Sequence, residues 1–138
     1  MSVSAVEAFR NTLAAHSIIM ETNIEKGKAG EQKAEDYLKK KGYDILARNY
    51  RAGRDEIDII AFAQGTIVFV EVKYRTSDKY GMPEDSIDSE KMQRIAACAK
   101  SYMMDKNQNF PNKRFDVISI IEKDGSVDIE HIEDAFWP

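Results

Sequence analysis

Two carboxylates and one lysine lie in neighbouring β-rich runs of the chain and could form a metal site. Asp58 lies within the run 56–62, and Glu71 and Lys73 close the run 66–73. Carboxylates supply the oxygen ligands that hard divalent ions prefer, and a nearby lysine can neutralise charge on a phosphate. These three residues therefore indicate a candidate metal and phosphodiester site.

The two runs are predicted to form a β-hairpin that turns at the two-residue loop Gln64-Gly65. With that turn, Asp58 faces Glu71 and Glu56 faces Lys73, and all four side chains share one sheet face because side chains alternate along a strand. Opposed Cβ atoms in such pairs lie about 4.5–5.5 Å apart. The predicted apolar surface of the other face consists of Ile57, Ile59, Ala61, Val68, Val70 and Val72.

Two carboxylates placed directly opposite each other repel, so the predicted pair Asp58–Glu71 calls for a compensating partner. A shared proton, a nearby cation or a divalent metal would each serve. Oxygen-only ligands, with no usable Cys or His cluster in the sequence, favour Mg²⁺ or Mn²⁺ over zinc. The alternative that needs no metal is a solvated ladder of salt bridges from Glu56 and Asp58 to Lys73, and the spacing alone leaves it open.

Helices and further strands are predicted around this hairpin from apolar periodicity and turn residues. The predicted helices span residues 5–20, 23 or 24 to 41, and 88–104. Strands are predicted over 43–49, 115–121 and 127–132, with a loop over 110–113. The order α-α-β-β-β-α-β-β predicts an α/β domain in which helices pack against a central mixed sheet.

Composition restricts the classes of protein to consider. The 138 residues fit one domain, and a hydrophobic content of 43% with 32% charged residues excludes a disordered chain. No stretch approaches the roughly 20 apolar residues of a membrane helix, so no membrane partner is expected. Cys98 is the only cysteine, which excludes an intramolecular disulfide; we expect a small core residue and a reducing, cytoplasmic setting.

Charge is distributed unevenly along the chain, whose formal net charge is −4. Residues 26–54 hold nine Lys and Arg against four Asp and Glu, whereas residues 115–138 hold one Lys against seven acids. A basic segment of this kind could face a polyanion although the protein is acidic overall. An ordinary solvated helix surface explains the charges equally well, and the choice stays open at this point.

The spacing of Asp58 and Glu71-Val72-Lys73 resembles the D…ExK half of the PD-(D/E)xK nuclease signature, with Ile57 where the signature has proline. A wider set of motifs, over about residues 26–136, resembles the bacterial YraN-like family, which is similar to archaeal Holliday-junction resolvases. The motifs are Gly27-Lys28-Ala29-Gly30-Glu31, Ala34, Tyr37-Leu38, Gly42-Tyr43, Arg48-Asn49-Tyr50-Arg51, Asp55-Glu56-Ile57-Asp58-Ile59-Ile60, Val68-Phe69-Val70-Glu71-Val72-Lys73-Tyr74-Arg75, Gly81 and Arg114-Phe115-Asp116-Val117.

The resemblance implies a restriction-endonuclease-like fold and a site for Mg²⁺ or Mn²⁺. Asp58 and Glu71 would hold the metal, and Lys73 would activate water or stabilise the charge that develops on the phosphate. Glu31 would assist, because resolvase-like proteins have a metal-site glutamate at this place on a helix; at 100° per residue it lies about 20° from Leu38 on the inner face. Candidates for contact with phosphates are Arg48, Arg51, Arg54, Arg75 and Lys91. Neither His16 nor His131 lies in a motif, so a metal-activated water is expected rather than a histidine base.

The leading hypothesis is a Mg²⁺-dependent endonuclease that acts on branched or otherwise structured DNA. The alternatives are a non-catalytic nucleic-acid-binding module of the same fold and a structural or partner-binding protein whose charged face is a salt-bridge network. The complete set of two carboxylates and a lysine favours the endonuclease, and the negative net charge favours the structural or partner-binding protein. We expect residues 23–138 to form a single domain with DNA as its partner and residues 1–22 to form a helical extension outside the resemblance; a homodimer stays open.

Overall fold

The computed structural model describes residues 28–76, 88–106 and 110–136. Helix α1 runs through residues 28–40. It is followed in chain order by β1 (Asp44–Ala52), β2 (Asp55–Ala63), β3 (Thr66–Arg75), α2 (Ser89–Asp105), β4 (Asn112–Lys123) and β5 (Ser126–Ile132). This order agrees with the predicted one from its second helix onward, and the predicted helix over 5–20 lies outside the described residues.

The five strands form one sheet in the order β1-β2-β3-β4-β5. All neighbouring strands are antiparallel except β3 and β4, whose parallel register runs from Thr66–Asn112 to Arg75–Ile121. The predicted mixed sheet is therefore confirmed. The predicted loop over 110–113 is wrong at its end, because β4 begins at Asn112 and pairs with β3 along the whole length of that strand.

Among the described residues, one helix packs on each face of the sheet. Ala34 and Leu38 of α1 are fully buried against Ile59, Ala61, Val68, Val70, Ile118 and Ile120. On the other face, Ile95, Cys98, Ala99 and Tyr102 of α2 pack with Ile57, Ile60, Ile67, Phe69, Phe115, Val117 and Phe136. Cys98 is 1% exposed, which confirms that it is a core residue. This mixed sheet between two helices is compatible with a restriction-endonuclease-like fold.

The hairpin of β2 and β3 turns where the sequence predicts. Gln64 and Gly65 both have positive φ angles, 50° and 76°, as the tight turn with right-handed strand twist requires. The register also agrees from Ala63–Thr66 as far as Ile59–Val70. It ends there, so the predicted cross-strand pairs Asp58–Glu71 and Glu56–Lys73 are wrong.

The apolar surface predicted for one face of this hairpin is also corrected at Ile57. Ile59 and Ala61 face α1, whereas Ile57 joins the cluster beneath α2. The alternation of side chains is thus interrupted at Asp58. Within the described residues, no helix is long and apolar enough to cross a membrane.

Candidate functional site

A local irregularity in the sheet places Asp58. The β1–β2 register passes from Arg48–Ile59 to Tyr50–Ile57 without pairing Asn49 with Asp58, and Asn49 has a positive φ of 51°. On the other side, the pairing of β2 with β3 has already ended. The Asp58 carboxylate instead accepts a hydrogen bond from the backbone N–H of Val72 at 2.8 Å. The Asp58 side chain thus accepts the bond that a backbone carbonyl would accept in a regular ladder, at the point where the pairing of β2 with β3 ends.

Close packing of α1 on β3 places Glu31. Gly30 is buried in α1, and a Cβ atom there would lie 3.0 Å from Cδ2 of Tyr74. A larger residue would therefore require the Tyr74 side chain to shift. Because Gly30 allows the close approach, the next residue, Glu31, reaches Asp58.

Three carboxylates meet at this point of the sheet. Glu31, Glu56 and Asp58 each offer one oxygen, and these oxygens lie within 4.8 Å of one another. The sequence placed Glu31, Asp58 and Glu71 in the metal set. The structure adds Glu56 to Glu31 and Asp58, and Glu71 is the carboxylate that acts most strongly on the charge of Asp58. We call Glu31, Glu56, Asp58 and Glu71 the carboxylate cluster.

The surroundings of Asp58 disfavour its charged form. Burial and the neighbouring Glu71 carboxylate raise the pKa of Asp58 from 3.8 to about 7. Glu31 and Glu56 act in the same direction, and only the hydrogen bond from Val72 opposes them. A bound cation would reverse this balance, because opposite charge favours the ionised carboxylate.

The fourth acid, Glu71, is paired with two lysines. Its Oε1 lies 2.7 Å from the Nζ atom of Lys91 and 3.5 Å from that of Lys73. Burial lowers the pKa of Lys73, whereas the Glu71 carboxylate raises that of Lys91 although burial opposes it. The sequence predicted Lys91 as a phosphate contact and Lys73 as a catalytic group, and the structure brings both to the same carboxylate oxygen.

The arginines predicted to bind phosphate differ in their exposure to solvent and in the residues that they contact. Arg48 is directed to α1, where it lies 3.4 Å from Glu31 and 3.5 Å from Glu35. Arg51 is well exposed and lies 3.3 Å from Glu56. The remaining two are Arg54, which lines a pocket of about 180 Å³ beside Glu56, Lys91 and Arg94, and Arg75, which is half-buried at the end of β3.

A second charged cluster, which the sequence analysis missed, lies at the other end of α1. Asp116 of β4 is fully buried and accepts hydrogen bonds from Arg114 at 2.8 and 2.9 Å and from the backbone of Asp134 at 3.0 Å. Nε2 of His131 lies 2.7 Å from the same carboxylate, and Nδ1 lies 3.2 Å from Nζ of Lys41. Because an ammonium can only donate, Nδ1 accepts and Nε2 donates to Asp116. We call Lys41, Arg114, Asp116 and His131 the Asp116 cluster.

Hydrogen bonds decide the charge state of Asp116. Burial alone would raise the pKa of Asp116, but the donors His131, Arg114 and the Asp134 N–H together hold it below its ordinary value. The Arg114–Asp116 alternation on one strand was a signal for this cluster in the sequence. The contribution of His131 was not visible there, because it depends on the register of β4 with β5.

The carboxylate cluster fits a hard divalent ion. Oxygens of Glu31, Glu56 and Asp58 lie within 4.8 Å of one another, whereas two ligands of an ion with oxygen bonds of about 2.1 Å lie roughly 3–4.2 Å apart, so these side chains would move inward to bind it. The donor set contains only oxygens, which suits Mg²⁺ or Mn²⁺. Lys73 and Lys91 add positive charge beside the acids, where a phosphate could bind.

Comparisons with known proteins agree with the family that the motifs resemble. The family model described as "Uncharacterised protein family UPF0102" matches residues 30–120. A UPF0102 protein of Syntrophus aciditrophicus is 47% identical over 85% of this chain and 92% of its own. UPF0102 proteins of Persephonella marina, at 47% identity over 80% of this chain and 92% of its own, and of Phocaeicola vulgatus, at 39% over 86% and 98%, are similar in the same way.

Proposed function

The chain belongs to the uncharacterised protein family UPF0102, the YraN-like family that its motifs resemble, and we propose that it is a metal-dependent endonuclease acting on branched or structured DNA. The observation that carries the proposal is the position of Asp58. Its carboxylate lies in the gap between β2 and β3 among other acids, with two lysines beside the cluster. Such crowding of acids is unfavourable without a cation and becomes favourable with one.

Glu31, Glu56 and Asp58 would hold Mg²⁺ or Mn²⁺ from one side, and Glu71 would join them from β3. When bound, the ion supplies Lewis-acid chemistry and stabilises negative charge on a phosphodiester. His131, the histidine among the described residues, bonds to Asp116 and Lys41 in the Asp116 cluster, so it is not assigned a role as a base.

The protein's own cations would bind the phosphate. Lys73 is half-buried beside Glu71 and would contact a non-bridging oxygen as negative charge develops there. In the hydrolysis, a water oxygen bonds to phosphorus while one ester P–O bond breaks. The water loses a proton, the leaving oxygen gains one, and the products are a phosphate monoester end and a hydroxyl end.

DNA is proposed as the substrate because of the cations around the cluster. Arg51 lies near the end of β1, Arg54 in the β1–β2 turn and Lys91 in the first turn of α2, all close to Glu56. Phosphate contacts of this kind fix the position of DNA without reading its sequence. A buried lone cysteine at residue 98 suits a reducing compartment, and we infer a cytoplasmic setting.

Cleavage and binding of labelled DNA, measured separately, test the proposal. Wild-type protein with Mg²⁺ or Mn²⁺ should cut a branched DNA faster than a linear duplex, and Asp58→Asn should not cut. Lys73→Ala should reduce cleavage by at least about 100-fold and binding by only a few-fold, because one lost phosphate contact changes affinity little. Lys100→Ala, at an exposed position of α2, is the matched control and should cut like wild type.

The outcomes separate the three functions that the sequence left open. Binding that weakens steeply with salt but is never followed by cleavage would indicate a nucleic-acid-binding module without catalysis. Absence of binding to any DNA or RNA form at low salt would contradict both nucleic-acid functions. The charged groups would then form a salt-bridge network or a protein-contact surface.

A further inference from the structure

Lys91 occupies the place at Glu71 where a divalent ion would be expected to bind. Its Nζ atom lies 2.7 Å from Oε1 of Glu71, a shorter distance than in the ion pairs of Glu31, Glu56 and Glu71 with Arg48, Arg51 and Lys73. Lys73 lies 3.5 Å from the same oxygen, so the two ammonium groups converge on one atom. The glutamate side chain is only 11% exposed, which leaves little room for a third cation beside them.

The start of α2 fixes the backbone of Lys91, from which its side chain extends to Glu71. Asp88 caps α2, and its carboxylate accepts a hydrogen bond from the N–H of Lys91 at 2.8 Å. The backbone is thereby fixed in the first turn, and a change in the position of the ammonium group requires only rotation within the four-carbon side chain. Space for it exists nearby, because the pocket of about 180 Å³ between Arg54, Glu56 and Arg94 is lined by Lys91 itself.

We propose that Lys91 is a built-in counter-cation, which neutralises Glu71 while the site is empty of metal and which a divalent ion must displace from that carboxylate. The inference rests on the proposed metal site and adds its regulation. A divalent ion bound to Glu71 and the Lys91 ammonium would repel each other at contact distance in a site of low effective dielectric. Metal loading would therefore move Lys91 into the adjacent pocket, and the resting site would stay closed to weakly bound ions.

The alternative is that Lys91 only supports the structure by pairing with Glu71. The two roles predict opposite effects on metal affinity. If Lys91 competes with the ion, removal of its charge makes binding tighter. If it only holds Glu71 in place, removal of its side chain makes binding weaker or leaves it unchanged.

Calorimetric titration of the metal-free full chain with Mn²⁺ distinguishes them. Lys91→Met and Lys91→Gln should bind Mn²⁺ at least about fivefold tighter than wild type, because the competing charge is gone. Lys91→Arg keeps the charge and should stay near the wild-type Kd. Lys100→Met, an exposed lysine of the same helix, should also be unchanged.

Circular dichroism checks that both Lys91 variants fold. Lys91→Gln is the safer of the two, because its amide can still form a hydrogen bond to Glu71. A wild-type protein that binds Mn²⁺, with both Lys91 variants binding equally or more weakly, would overturn this inference and leave the proposed function intact. Absence of Mn²⁺ binding by wild type and by every variant would instead overturn the proposed metal site.

Discussion

Two aspartates of the same sheet, Asp58 on β2 and Asp116 on β4, have opposite electrostatic surroundings. Asp116 receives donors from a guanidinium, an imidazole and a backbone N–H, and its pKa lies below the ordinary value although burial opposes this. Asp58 is buried beside other carboxylates and accepts one backbone hydrogen bond, and its pKa is raised to about 7. The fold stabilises the charged form of Asp116 and destabilises the charged form of Asp58.

The difference separates a structural cluster from a candidate site. In the Asp116 cluster, charge is balanced within the described residues around it, and the cluster joins the end of α1 to β4 and β5. In the carboxylate cluster, acids are held closer together than their charges favour. Groups that the fold leaves electrostatically unsatisfied are candidates for binding a ligand that corrects the imbalance.

The largest expected effect is at Asp116. Asp116→Asn should lower the free energy of unfolding by about 3 kcal/mol at pH 7, because Arg114 then loses the carboxylate that balances its half-buried charge. Urea unfolding followed by circular dichroism measures the loss. Since the pKa of Asp116 is depressed, its contribution is present above pH of about 4 and disappears as the pH falls, so wild type and variant should converge in acid. A loss below about 1 kcal/mol at pH 7 would contradict the structural role.

The same substitution at Asp58 should act in the opposite direction. Folded Asp58 keeps its proton up to a pH of about 7, whereas the unfolded chain loses it near its ordinary pKa of 3.8, so wild-type stability should fall as the pH rises between these values. Without metal, Asp58→Asn should therefore be more stable than wild type at pH 8, by at least about 1 kcal/mol, and this difference should disappear below a pH of about 3. Equal stability of the two proteins at pH 8 would show that the acids around Asp58 do not repel.

The smallest effect is expected at Glu133, an acid at the margin of the Asp116 cluster. Its side chain is 51% exposed and lies 3.7 Å from Lys41 and 3.9 Å from Arg114. Ion pairs of this length at the surface contribute little, so Glu133→Gln should change the free energy of unfolding by less than about 0.5 kcal/mol. A larger decrease in the free energy of unfolding, measured with urea, would mean that the charge balance around Asp116 depends on the exposed Glu133.

Much of the fold could be predicted from periodicity and turn residues. The apolar repeat of α2 predicted a helix over 88–104, and the structure has Ser89–Asp105 with Asp88 as its cap. Gln64-Gly65 predicted the hairpin and its initial register correctly, because a two-residue turn fixes which residues face each other. Glu31 was placed near the core-facing stripe of α1 by helical geometry alone.

The geometry of the site could not be predicted as well, because it depends on where the regular pairing and side-chain alternation of the strands end. Regular alternation placed Asp58 opposite Glu71, but the left-handed Asn49 and the bond from Val72 to Asp58 mark a break in the ladder. Glu56 consequently joins Glu31 and Asp58, and Glu71 meets Lys91 from another element. Contacts between β4 and β5, which bring His131 to Asp116, are likewise invisible in a local pattern.

The most direct test of the central claim is an equilibrium titration of the metal-free protein with Mn²⁺ at pH 8. Wild type should bind Mn²⁺ saturably, and Asp58→Asn should bind it at least about tenfold more weakly because a ligand carboxylate is lost. Binding by Glu133→Gln should be unchanged. Thermal unfolding should agree, with Mn²⁺ at 100 times its Kd stabilising wild type by about 2.7 kcal/mol. Absence of binding by wild type, or equal binding by wild type and Asp58→Asn, would contradict the assignment of the carboxylate cluster as a metal site.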